Sequence, residues 1–502
     1  MSSLLVCGTS SDAGKSVIVA GLCRYMSDLG IKVAPFKAQN MSLNSAVTQA
    51  GEEIGRAQAA QAFAARIEPE AVMNPILLKP AADIRAQVIV MGHPLTTADA
   101  VSYGDLTPRL LSVVLDAFES LRSRFDVVVC EGAGSLAEFN LRDRDLVNLG
   151  FARETRTPVV VVADIDRGGS FAGLYGSLAL LQAADQGLVC GFILNKFRGD
   201  PSLLDDGLTR FAALTDRGFY GVLPWLRDLT IDAEDSLDLS AYRSQPSPVH
   251  GATLRVAVVR LSSMSNFTDF EPLALEPGVS VSFTDSVSDI READLVILPG
   301  SKSTVADLGV LRNAGLDIAI QARAKDGRPI LGVCGGYQML GQRIIDHVES
   351  GVGEVNGLAL LPVIAELEDD KVLARCAGMS PILDADCEGY EIHHGHPRRL
   401  SGQPMLVTSD GDEGCIHRNA WGTSWHGVFE SDDYRRAFLG WVAAVNGFAW
   451  TPGDISFRAA REGQADRLAA LIADHADTQA LMRLIEQGAP KGLPVLSPAG
   501  VG

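Results

Sequence analysis

Two short stretches of this chain carry residue types whose spacing can do chemistry. Residues 8–16 read Gly-Thr-Ser-Ser-Asp-Ala-Gly-Lys-Ser, directly after the apolar run Leu4-Leu5-Val6-Cys7. A strand feeding such a loop, with a helix opening behind it, is a phosphate cradle. The glycines turn backbone N–H groups inward and the helix N-terminus adds positive potential. In that frame Gly8, Asp12 and Gly14 shape the loop, Lys15 reaches the terminal phosphates of ATP, and Ser16 ligates Mg²⁺. The second stretch, residues 329–341, reads Pro-Ile-Leu-Gly-Val-Cys-Gly-Gly-Tyr-Gln-Met-Leu-Gly. It sets Cys334 in a tight turn between a strand and a helix, which exposes the sulfur and favours the thiolate. The N–H of Gly335 can donate to an oxyanion, with a second donor from Gly300 in the loop 298–302. A thiol nucleophile needs a base, and His426 in Gly-Thr-Ser-Trp-His-Gly is expected to close a short strand and face it.

Other polar residues are expected at the ends of strands. Glu131 follows Val127-Val128-Val129-Cys130 and precedes Gly-Ala-Gly, which suits a carboxylate that helps to hold Mg²⁺. Glu53 is a second candidate for that metal, and it reads equally well as a solvated acid at a helix start. Asn195, after the run 191–194, is placed to read a nucleotide base. Lys37, Asp164, Arg167 and Arg198 fall on one expected rim, where they would bind a polyanionic substrate or an acyl phosphate.

The elements that must position these groups are legible as alternating periods. Strands are expected at 3–7, 31–36, 126–131, 159–164 and 189–195, with helices at 15–28, 52–66 and 107–123. That alternation implies an α/β domain over 1–240 with a parallel sheet, whose ligands bind at the carboxyl ends of the strands. Residues 241–253, including Ser-Gln-Pro-Ser-Pro, read as a linker. A second α/β unit is expected over 254–450, with strands at 254–259, 294–299, 329–333 and 422–426. A helical extension follows over 451–502.

Composition excludes several classes. The eight cysteines are scattered without a Cys-x-x-Cys pair, against a disulfide framework or a zinc site. A net charge of −19 argues against nucleic-acid partners. No apolar run reaches the ~18–20 residues of a membrane span, and no leader precedes the first strand, so the cytoplasm is the expected compartment. The run His393-His394-Gly395-His396 invites a metal reading, but three imidazoles in one short loop rarely converge on one ion.

Longer motifs carry a resemblance. Phe36-Lys37-Ala38-Gln39-Asn40-Met41-Ser42-Leu43-Asn44-Ser45, Ile54-Gly55-Arg56-Ala57-Gln58-Ala59, Met73 to Pro80, Glu131-Gly132-Ala133-Gly134-Ser135, Asp164 to Gly169 and Asn195 to Asp200 resemble the cobalamin-pathway amidotransferase family. The match runs from the first strand to about residue 450. The first loop, with five residues between its glycines, is similar to that of the dethiobiotin synthetase branch. The resemblance implies a dethiobiotin-synthetase-like P-loop domain followed by a class I glutamine amidotransferase-like domain. It implies a ligase that amidates the b, d, e and g carboxylates of adenosylcobyrinic acid a,c-diamide, with glutamine as nitrogen donor and ATP with Mg²⁺ consumed. Carried over by position, Cys334 is the nucleophile and His426 its partner; Asn40, within the first of these motifs, joins Lys37, Asp164 and Arg167 as a candidate for the substrate or its acyl phosphate. The wider glutaminase class has a Glu two residues after the His. Position 428 is Val here, which leaves Glu430 as the nearest acid to orient His426.

Three rivals remain at this level: the sister enzyme that makes the a,c-diamide, a P-loop ATPase with an inactive glutaminase-like module, and a ligase amidating a cell-wall precursor. The segment Asn40 to Asn44 argues against the first, the intact elbow at Cys334 against the second, and the substrate-loop motifs against the third.

Overall fold

The computed structural model describes residues 2–80, 85–226, 229 and 253–496. The linker expected at 241–253 lies outside the described residues, apart from residue 253. No helix among the described residues is long and apolar enough to cross a membrane.

The first sheet has six parallel strands in the order Gly218–Pro224, Val189–Phe197, Val159–Asp164, Ser3–Gly8, Val127–Glu131, Val33–Phe36. Its inner strands are near-continuous apolar runs because helices cover both faces. Ser3–Gly8 lies between Val127–Glu131 and Val159–Asp164, so the loop after Gly8 opens with Glu131 on one flank and Asp164 on the other. The strand Gly218–Pro224 escaped the sequence reading. So did a four-stranded sheet of Gln39–Met41, Ile76–Pro80, Ala86–Val90 and His93–Ala98. The helix expected at 52–66 begins only at Arg56. Glu53–Gly55 is a strand paired with Ser45–Val47, so Glu53 is not at a helix start.

The second sheet runs Val279–Thr284, Leu254–Val259, Leu295–Leu298, Ile330–Val333, Ala420–Thr423, with Cys415–His417 antiparallel at its edge. The last parallel strand ends at Thr423, three residues short of His426. A bridge to Tyr390 holds the histidine instead. A long antiparallel hairpin, Val363–Ser380 with Ala385–Arg399, projects from this unit toward the first. There Val47 of the first unit packs with Leu373, Tyr390 and Ile392 of the hairpin.

The C-terminal helices Phe457–His475 and Thr478–Gln487 return to the first unit. Leu471, Ile472, Leu481, Leu484 and Ile485 join the core around the helix Lys15–Asp28. The buried Arg24 of that helix pairs with Glu462 and Asp466, at 2.5 and 2.6 Å. These helices therefore brace the element that follows the phosphate loop.

Candidate active sites

The phosphate loop needs glycine at position 14. Gly14 has φ +98°, and a Cβ there would stand 1.9 Å from Asn195 Nδ2. Asn195 donates that amide to the Ala13 carbonyl at 3.0 Å, and Lys196 Nζ donates to the Asp12 carbonyl at 2.7 Å. The sequence reading gave Asn195 a base-reading task. In the structure one of the two N–H donors of that amide props the loop from behind. Lys15 Nζ reaches the carbonyls of Ser10 and Gly134.

Ser16 Oγ donates to Glu131 Oε1 at 2.9 Å, and Lys37 Nζ lies 2.9 Å from the same oxygen. Gln61 donates to the other carboxylate oxygen. Burial disfavours the charged form of Glu131, yet Lys37, Gln61 and Lys15 hold it below the usual carboxylate range. A hydroxyl beside a buried carboxylate is a hard oxygen donor set, which fits Mg²⁺.

One expectation fails here. Glu53 is not in this cluster: it is fully buried at the boundary of the two units, where its oxygens accept from Ser45, Lys79 and Lys371. With two lysines on it, Glu53 is a structural anion rather than a metal ligand. Asp164 and Arg167 share the carboxyl edge of the sheet with Lys37 but do not line the same cavity. They sit on the other flank of the loop, where Asp164 pairs with Lys196 at 2.9 Å and Arg167 with Asp12 at 3.2 Å. Lys37 and Asn40 instead line a cavity of about 650 Å³ whose floor includes Ser10 and Lys15.

In the second unit three strand ends converge. Cys334 follows Val333, takes φ +50° and donates its N–H to the Thr423 carbonyl at 2.8 Å. A positive φ on a non-glycine is strain stored where the turn must present the sulfur. Gly300 packs against the base: a Cβ there would lie 2.8 Å from His426 Cε1. A Cβ on Gly335 would lie 2.9 Å from the Ser301 nitrogen, so the two loops are in close contact, and Ser301, Cys334 and Gly335 line one pocket.

The third partner of the pair is Asp269, which sequence reasoning missed. Its Oδ2 lies 2.6 Å from His426 Nδ1, and its Oδ1 accepts the Gly427 N–H at 3.0 Å. Both side chains are buried. Glu430 is excluded from that task because it pairs with Arg56 of the first unit at 2.7 Å. The signal for Asp269 was slight: an acid enclosed in Phe267-Thr268-Asp269-Phe270, shortly after the strand Leu254–Val259.

Burial disfavours the imidazolium of His426, but Asp269 and Cys334 together raise it to about 10. Burial pushes the Cys334 thiol up, and His426, His393 and the Gly335 N–H pull it back below its ordinary value. The pair thus favours thiolate and imidazolium. Tyr390 stacks on the His426 ring with centroids 5.6 Å apart.

The three histidines of 393–396 go separate ways. His393 Nδ1 bonds the Gly395 carbonyl and the ring borders the thiol pocket; His394 Nδ1 bonds the Glu368 carbonyl; His396 is exposed. Among the described residues no group of three His, Cys, Asp or Glu is arranged to hold a metal ion.

The thiol pocket is also lined by Lys79 of the first unit. Asn44 and Asn266 exchange bonds across the boundary: Ser45 N–H to Asn266 Oδ1 at 2.9 Å, and Phe267 N–H to Asn44 Oδ1 at 3.2 Å. The segment 36–45 thereby runs from Lys37 at the phosphate loop to the turn that carries Asp269.

Comparison with known proteins gives the following. Residues 4–238 match the CobQ/CobB/MinD/ParA nucleotide binding domain, and residues 255–434 the CobB/CobQ-like glutamine amidotransferase domain. The chain is 53% identical to the cobyric acid synthase of Saccharopolyspora erythraea, covering 100% of this chain and 98% of that protein. It is also 53% identical to the cobyric acid synthase of Streptomyces avermitilis, over 99% and 98% of the two chains. The cobyric acid synthase of Nocardia farcinica is 51% identical over 98% of each.

Proposed function

Since the chain belongs to the cobyric acid synthase family, a family of glutamine-hydrolysing ligases of cobalamin biosynthesis, we propose that it amidates the b, d, e and g carboxylates of adenosylcobyrinic acid a,c-diamide. ATP and glutamine are consumed at two separate sites. The observation that carries the two-site reading is the buried run Asp269, His426, Cys334 in a chain whose other sheet ends in a phosphate loop.

At the glutaminase site Asp269 holds His426 by Nδ1, which turns Nε2 toward the sulfur. The Cys334 thiolate attacks the side-chain amide of glutamine. The oxyanion is received by backbone N–H groups of Gly335 and the Gly300 loop. His426 gives its proton to the leaving nitrogen, ammonia departs, and water then hydrolyses the glutamyl thioester. At the other site Lys15 and the loop N–H groups, shaped by Gly8, Asp12 and Gly14, balance the charge on the γ-phosphoryl group as it passes to a corrinoid carboxylate oxygen. ADP leaves, ammonia attacks the acyl phosphate carbon, and phosphate departs as the amide forms. Ser16 and Glu131 would hold Mg²⁺, which supplies charge neutralisation for the phosphates. Lys37 and Asn40 would steer the carboxylate, and the cytoplasm is the proposed compartment.

Incubating the protein with the corrinoid a,c-diamide, ATP, Mg²⁺ and glutamine should give a product carrying four new amides by mass spectrometry. Two new amides on cobyrinic acid would instead make it the sister synthase. Failure to hydrolyse glutamine would leave only a nucleotide-binding protein with an inactive module.

A further inference from the structure

Four of the large apolar side chains that stand in solvent border one cavity, the one above the phosphate loop. Phe139 is 71% exposed, Met41 62%, Leu180 56% and Leu141 54%, and all four line it. They come from three separate segments of the first unit: the strand Gln39–Met41, the turn Phe139–Arg144 and the end of the helix Ser170–Leu180. Lone exposed apolar residues are ordinary, but a group of them around one concave site marks a surface that something covers. The polar lining is of mixed sign: Lys15, Lys37, Arg142 and Arg144 stand with Glu138, Asp145 and Asp185, and Arg142 pairs with Asp185.

We propose that these four side chains form the platform on which the corrin ring lies, with the reacting carboxylate arm reaching down to Lys15. This rests on the functional reading above and names how the substrate of that site is held. The occupant follows from chemistry. The corrin ring is broad and nearly flat, with the adenosyl group on one face, a largely apolar edge of methyl and methylene groups, and carboxylates at the ends of its arms, which complements an apolar ledge around a site that holds Lys15 and Lys37. One phosphate loop must also serve four arms, so the ring must be accepted in more than one rotation. Apolar contact is non-directional and tolerates this, whereas a set of hydrogen bonds to one arm would not.

The test is the affinity of the full chain for the corrinoid a,c-diamide, read by equilibrium dialysis from the corrinoid's own absorbance. Phe139→Ser and Leu141→Gln, both at exposed positions, should each weaken binding about tenfold, and the double variant more. Phe139→Trp should retain wild-type affinity. ATP binding and glutamine hydrolysis should keep their wild-type values. If the wild type binds and amidates the corrinoid while the variants bind it equally well, the platform is wrong and the functional reading stands. If the variants change the sedimentation of the protein rather than corrinoid affinity, the patch covers a second copy of the chain, and the proposal falls. If the wild type binds no corrinoid at all, the functional reading falls with it.

Discussion

Asp269 and His426 are 157 residues apart in the chain and 2.6 Å apart in the fold. The carboxylate grips Nδ1 of the imidazole with one oxygen and the following backbone N–H with the other. That double hold sets both the tautomer and the tilt of the ring, which is what a base facing a thiol requires.

Asp269→Asn should keep the fold and lower kcat for glutamine hydrolysis by roughly 10²–10⁴-fold, since it stabilises the wrong tautomer and removes the counter-charge. Amidation driven by added ammonia should be unchanged. Glu430→Gln, tested beside it, should leave the glutaminase pH profile alone, because Glu430 is engaged by Arg56. An unaltered profile in Asp269→Asn would refute the assignment.

The pH dependence of glutaminase kcat/KM should be a bell. Below the lowered Cys334 value the thiolate takes up a proton and activity falls. Above about 10 the His426 imidazolium loses the proton it must give the leaving nitrogen, and activity falls again. The two limbs belong to the coupled pair rather than to either residue. In Asp269→Asn the support that raises His426 is gone, so the alkaline limb should move downward.

Cys334→Ser should abolish glutamine-driven amidation while high ammonia still supports it. Lys15→Ala should do the reverse: amidation from either nitrogen source falls on the order of 10²-fold or more, and glutamine hydrolysis persists. Loss of both activities in either variant would contradict two separate sites.

Glu53→Gln leaves Lys79 and Lys371 buried together without their anion. Removing one partner of a buried ion pair costs about 3–5 kcal/mol. The variant should show a lowered thermal unfolding midpoint, with no change in Mg²⁺ dependence. A raised Mg²⁺ requirement would return Glu53 to the metal site.

How much of this could be read in advance depends on how local each feature is. The phosphate loop and the elbow at Cys334 are short-range devices. Glycines, a helix start and a reactive side chain lie within a dozen residues, so their spacing reveals them. The inner parallel strands were visible for the same reason, as runs buried on both faces. The edge strands Gly218–Pro224 and Val279–Thr284 and the long hairpin Val363–Ser380 with Ala385–Arg399 lack that uniform burial, and all went unseen. Glu53 was misplaced because nothing in Glu-Ile-Gly-Arg shows that Lys79 and Lys371 will meet it.

Cys334 and Lys15 thus announce themselves in the sequence, because a tight turn and a helix N-terminus are built from neighbours. Their partners do not. Asp269 reaches His426, Glu53 meets Lys371, and Asn44 meets the Asp269 turn only once two separate sheets have formed and docked. A carboxylate carries no local mark of the cation it will face. Local geometry determined where the chemistry starts, and tertiary packing decided which charges complete it.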